Sequence, residues 1–276
     1  MINFQITTTS KVFMRITTLL LICSYQSIGQ ELFPQKTNQF NIVVSAGVAI
    51  PVGSFSRYEE SRSSLINATS KDFSIVGEPL AGTNGNIQLS YIFKSKHSVF
   101  CDFYLSSFKV KSKKYKDFLP EAALNTMGTF SNVNYTSNNW IIKSVVVGYK
   151  IFYPFQKTKL FSGIGCSIDF VTCPKANYKA DYHSNYSSYI SYFELSQQKE
   201  TSLSPGIVIT QGLEIKITKA FSLVCDLKYR YSTHSYSTII NSYDQSNSNT
   251  PRQVQEVSFD KPASVVSVNA GVSVSL

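Results

Sequence analysis

Charged residues two apart recur through the later half of this chain: Glu214 with Lys216, then Asp226, Lys228 and Arg230. Asp102 and Asp169 stand alone amid small or apolar residues. A spacing of two puts side chains on one face of a strand, and charges gathered on one face call for partners, because a buried lone charge is costly. The expectation is a network of paired charges and water across neighbouring strands, with Glu214 and Asp226 against Lys216, Lys228 and Arg230. A second chemistry is nucleophilic. In YRYSTHSYS, His234 lies near Ser235 and Ser237, with Asp244 further on as a conceivable orienting acid. General-base work needs base and hydroxyl within ~3 Å.

The elements that would carry these residues are segments of period two. The first covers 39–50, where Phe40, Ile42, Val44, Ala46, Val48 and Ile50 oppose Asn41, Ser45 and Gly47. The second covers 84–94, with Ile87, Leu89, Tyr91 and Phe93 against Asn86, Gln88 and Ser90. The third, 98–110, sets Val99, Phe103 and Leu105 against Asp102, Tyr104 and Ser106, although Phe100 and Phe108 share the polar face. The fourth, 139–153, alternates weakly, and the fifth runs through LFSGIGCSIDF. The sixth and seventh form a hairpin turning near 218–220, and the eighth is 263–276.

Connections after the odd segments cover roughly 51–83, 111–138, 174–204 and 232–262, whereas the others are a few residues. Structureless loops beyond ~12 to 15 residues are uncommon in compact domains. Long and short connections in alternation instead fit a barrel through an outer membrane, with tight turns in the periplasm and long loops outside. The expected fold is all-β: an eight-stranded antiparallel up-and-down transmembrane barrel with four long extracellular loops.

Composition agrees. Charged residues are 16% and aromatics 13% of the 276 residues. Tyr91, Phe93, Tyr149, Phe152, Tyr153, Phe155, Phe161 and Phe221 cluster at the short-turn ends. Phe108, Trp140, Phe170, Tyr229 and Tyr231 lie towards the long loops. Two aromatic belts are expected at the two membrane interfaces.

Lys11 and Arg15 precede an apolar run at 16–23, and Ser27 and Gly29 make a small-x-small site. Residues 1–29 therefore read as a secretory signal peptide and 30–276 as the barrel domain. Met14 is an alternative start to Met1. Removing 1–29 lowers the formal +9 by two, to +7. The basic residues form no stripe, so nucleic acid is not expected. Anionic headgroups and the phosphates of lipopolysaccharide are the expected partners. Cys101, Cys166 and Cys225 fall on the apolar face, and Cys166 lies ~23 Å from Cys173 along one strand, too far for a bridge. No metal or other cofactor is implied. The Tyr-, Ser- and Asn-rich stretches 177–191 and 232–249 are candidate contacts for an extracellular ligand.

FNIVVSAGVAIPVGSF at 40–55, LFSGIGCSIDF, QGLEIKITKAFSLVCDLKYRYS and the ending SVVSVNAGVSVSL together resemble the small outer-membrane β-barrel family of Bacteroidota, related in architecture to the OmpX and OmpA barrels. The resemblance is one of pattern over the whole mature chain. It implies a monomer inserted by the barrel assembly machinery, with a structural, adhesive or narrow-pore role and no catalysis. Leu276 departs from the aromatic that often ends such barrels. The rival implication is a lipid A deacylase using His234 and Ser237 at the outer rim, although Tyr236 stands where that family places serine.

Overall fold

In the computed structural model the described residues are 38–56, 79–94, 96–110, 128–155, 157–184, 190–197, 200–244 and 253–276. The proposed signal peptide lies outside them. Eight strands form the wall: β1 (Asn38–Pro51), β2 (Gly82–Phe93), β3 (His97–Phe108), β5 (Trp140–Phe155), β6 (Thr158–Cys173), β9 (Glu200–Lys216), β10 (Phe221–Asp244) and β11 (Gln253–Ser275). Three further strands, β4 (Gly128–Ser137), β7 (Ala176–Ser184) and β8 (Ile190–Gln197), belong to the connections. All pairings between these strands are antiparallel. The wall runs β11-β1-β2-β3-β5-β6-β9-β10, and β10 returns to β11 to close it.

Alternation explains the wall. Along β1 the inward Asn41, Val43, Ser45 and Ala49 are buried, while Phe40, Val44, Val48 and Ile50 face out. The same holds round the barrel, and the exposed band includes Ile87, Phe103, Val147, Ile164, Ile168, Ile207, Leu223 and Val268. Such a band far exceeds the ~300–600 Å² apolar patch of a soluble monomer. On β10 it reaches from Phe221 to Tyr231; at ~3.3 Å per residue and a tilt of ~40° that is ~25 Å, the height of a lipid-facing belt. Above Tyr231 the outward residues become polar, beginning with Thr233 and Ser235.

At the turn end, Thr218 closes the β9–β10 connection, its hydroxyl accepting from the amides of Ala220 (3.2 Å) and Phe221 (3.0 Å). Ser and Thr do this readily in turns.

Two expectations need correction. The long connections are not loops throughout. β10 continues past 232 to Asp244, paired with β11 from Phe221↔Val274 to Ser242↔Gln253. From this extension hang β8, then β7, then β4. Tyr, Thr, Phe and Ile within these stretches suit strands, and a ladder satisfies backbone groups that a loop leaves to water. A bulge near Asn132, which has φ 51°, is held by its amide donating to Asp181 at 2.7 Å; Asn tolerates that left-handed backbone.

The aromatic belts also lose members. Phe152 and Phe161 at the turn end, and Phe108 and Trp140 at the other, point inward and are buried. Height along a strand does not settle the face; parity does. Phe40, Tyr91, Tyr149, Phe155 and Phe221 remain outside at the turn end, with Phe170 and Tyr231 at the other.

Placing Arg at Ile164, halfway up the belt, is expected to cost ~2–4 kcal/mol in urea unfolding from lipid vesicles. Thr233→Lys, above the belt, should change stability by less than ~1 kcal/mol.

Candidate functional site

Eight strands leave a lumen that side chains can fill, and here it is filled in layers. At the turn end Val43, Ile92, Phe152, Phe161 and Val224 form an apolar plug, with the two phenylalanine rings 5.8 Å apart. Lys150 lies just above, its ammonium 4.4 Å from the Phe161 ring and 4.9 Å from that of Phe100. It donates to Gln88 Oε1 at 2.7 Å. Gly163 makes this possible, because a Cβ there would sit 2.6 Å from Lys150 Cγ.

The middle layer is the charge network. Lys228 Nζ donates to Asp102 Oδ2 at 2.6 Å and stands 3.7 Å from Asp226. Asn86 donates to Asp102 Oδ1 at 3.0 Å and accepts from Ser45 at 2.6 Å. Asn269 donates to Asp226 and accepts from Asn84. Higher up, Arg230 lies 3.8 Å from the centre of the Tyr104 ring and donates to Ser144. A guanidinium stacks well on an aromatic face.

The Lys228–Asp102 ion pair and the Arg230–Tyr104 stack cross the lumen rather than joining neighbouring strands. β3 and β10 are four places apart in a ring of eight, so Lys228 to Asp102 spans the diameter. The register gives the reason. Each charge on β10 faces an uncharged residue of β9: Asp226↔Gly212, Lys228↔Thr210, Arg230↔Val208. Glu214 faces Val224, and Lys216 faces Ser222.

Of the expected network, Asp102, Asp226 and Lys228 come together, and Arg230 joins the layer above. Glu214 is buried in the lumen. Lys216 is not in the lumen; it is exposed at the rim, where β9 ends. Asp169 is fully buried, and neither carboxylate oxygen has a hydrogen-bond partner among the described residues.

Sequence reasoning missed Lys150 because β5 alternates weakly. Its inward face also carries Trp140, Ile142, Val146 and Phe152, so no polar stripe marks it. The amides Asn84, Asn86, Gln88 and Asn269 stood on polar faces, but which charge each would serve depends on the closed barrel.

Near the outer end, Ser232 Oγ and His234 Nε2 are 2.8 Å apart. Burial disfavours the charged imidazole. The hydroxyl partner is thus Ser232 and not Ser237. Positions 234 and 237 are an odd number of residues apart on one strand, so they belong to opposite faces. His234 is not a loop residue either, since β10 carries it.

An aromatic cap lies over this pair. Phe55, from a short 3-10 turn at Gly53–Ser56, meets Phe108 at 5.9 Å and Trp140 at 5.4 Å, and Trp140 meets Tyr236 at 5.5 Å, all edge to face. Ile142, Val171, Cys173 and Val265 complete the layer. A Ser–His pair with an acid nearby has the makings of a nucleophile, but Ser232, His234 and Asp169 are each at most 1% exposed, which leaves a substrate no approach.

Among the described residues no group of three or more His, Cys, Asp or Glu is arranged to hold a metal ion. Cys101, Cys166, Cys173 and Cys225 form no disulfide.

No protein-family model and no curated protein matches this chain. Solved structures similar to it include Neisserial surface protein A, at 14% identity over 85% of this chain and 96% of that one, with a TM-score of 0.41. A major outer membrane protein from Thermus thermophilus is similar at 12% identity, over 87% and 100%, with a TM-score of 0.41. Ail, the attachment invasion locus protein of Yersinia pestis, is similar at 12% identity, over 86% and 97%, with a TM-score of 0.32. At such values the fold rests on the chain's own strand pairing.

Asp102→Ala leaves Lys228 buried with its weaker partner alone. The expected cost is ~3–5 kcal/mol, read as a lower urea midpoint in vesicles. The double change Asp102→Leu with Lys228→Met should recover most of it, because removing both charges removes the desolvation penalty as well.

Proposed function

We propose that this chain is an exported outer-membrane barrel whose lumen conducts nothing and whose work is done at the cell surface, by structure or adhesion. The observation that carries this reading is the stacked interior: an apolar plug, a charge network across the diameter and an aromatic cap over the same lumen. A water-filled path would have to cross all three.

The outer extension supplies the working surface. Beyond Tyr231, β10 runs to Asp244, ~40 Å of strand at ~3.3 Å per residue, and β8, β7 and β4 widen it into a sheet. Tyr178, Tyr182, Tyr192 and Tyr243 lie on these strands, amid Ser and Asn. Such residues give adaptable contact at little entropic cost, and the partner class they fit is an extracellular protein or glycan. The apolar belt supports residence in lipid, and the signal-like residues 1–29 support export. The resemblance to Bacteroidota barrels and to OmpX and OmpA belongs to the same reading, as do a monomeric state and insertion by the barrel assembly machinery.

Planar-bilayer recording is expected to show no unitary conductance from the refolded barrel, and a steady open level would overturn the sealed-lumen reading. Lipid A from cells expressing the wild type and His234→Ala should give the same mass spectrum. Loss of an acyl chain that depends on His234 would instead favour the deacylase.

A further inference from the structure

The three turns at the plugged end carry Lys94 and Lys96 between β2 and β3, Lys157 and Lys159 at the β5–β6 connection, and Lys216 and Lys219 at the β9–β10 connection. Five are exposed, and Lys159 is half-buried with its ammonium 6.0 Å from the Phe152 ring. Among the described residues this end exposes no Asp or Glu; its nearest acid, Glu214, is buried in the lumen. Among the described side chains the other end mixes its signs, with Lys175 and Lys179 among Asp181, Glu200 and Asp260.

Strand order turns three pairs of lysines into an arc round the barrel. Successive turns are two strands apart, ~10 Å at ~4.8 Å per strand. That is slightly more than the ~8 Å Debye length at physiological salt, so the fields of adjacent turns overlap only in part and strengthen as salt is lowered. Depth is set by the belt. Exposed Phe155 precedes Lys157 by two residues, Ile217 adjoins Lys216, and Phe221 follows Lys219 by two. The ammonium groups therefore come where the hydrocarbon ends and headgroup phosphates begin, and lysine stems can lie along apolar surface while the charge reaches the interface.

We propose that this lysine arc binds anionic phospholipid headgroups in the leaflet that faces the turns. Lysine charge gathered at headgroup depth recognises phosphate as a diffuse field does, without a shaped pocket. The proposal deepens the membrane reading and rests on it. It also assigns the lipid contact to the turn side rather than to lipopolysaccharide on the loop side, where the charges are mixed.

The test refolds the full chain into phosphatidylcholine vesicles with and without phosphatidylglycerol, scores insertion by heat-modifiable gel mobility, and counts lipids retained on the extracted barrel by native mass spectrometry. Phosphatidylglycerol is expected to be enriched at least ~5-fold over phosphatidylcholine, the factor that one lysine near an anionic surface contributes, and high salt should abolish the enrichment. Replacing Lys96, Lys157, Lys216 and Lys219 with Gln should bring the two lipids to parity while insertion into phosphatidylcholine continues. Gln at Lys109, Lys143 and Lys175, towards the other end, should leave the enrichment intact. Parity in the wild type, or equal loss in the two variants, overturns the proposal and leaves the barrel standing. Parity accompanied by salt-sensitive binding of polyglutamate overturns it in favour of an acidic protein partner. Failure of the wild type to insert into any vesicle overturns the membrane reading and the proposal with it.

Discussion

A backbone amide in hydrocarbon finds no water, and leaving it unpaired costs several kcal/mol. A sheet with two edges cannot meet that condition, so the ladder between β10 and β11, from Phe221↔Val274 onward, is the contact on which the rest of this structure depends. It joins the two ends of the strand order and leaves the wall without an edge. Eight strands closed in this way set the radius, and the radius sets what the interior can hold.

The narrow lumen turns packing into selection of partners. Long side chains on one wall reach the opposite wall, so Lys228 finds Asp102 on β3, and Arg230 lies on Tyr104 of the same strand. Buried ion pairs contribute little net stability over an apolar core, and here the pair is braced by amides from β2 and β11. The apolar layers at either end keep water from the charges. Together they make a wall with a filled centre.

Several expectations failed for physical reasons that can be named. Lys216 has the parity of a lumen residue, but the strand ends there and the side chain meets solvent. Phe152, Phe161, Phe108 and Trp140 have the height of belt residues but inward parity. The stretch after 232 has the composition of a loop, yet β10 and β11 continue to pair across it because each supplies the other's hydrogen bonds. His234 neighbours Ser235 and Ser237 in the sequence, but strand parity pairs it with Ser232. Parity within the strand decides the aromatic faces and the partner of His234, the end of β9 decides Lys216, and the partner strand decides the outer extension.

The eight wall strands, their lipid-facing sides and the alternation of long and short connections were legible in the residues, because period-two patterning is local and lipid demands it of every strand. Asp102, Asp226, Lys228 and Arg230 were legible as lumen residues for the same reason. Which of them meet was not, since register and closure bring together strands more than a hundred residues apart, as with Asp102 and Lys228. Lys150 beneath Phe100, the cap built on Phe55, and the lysine arc assembled from three separate turns exist only once the sheet has closed on itself, for only then do distant turns and inward faces share one end of a cylinder.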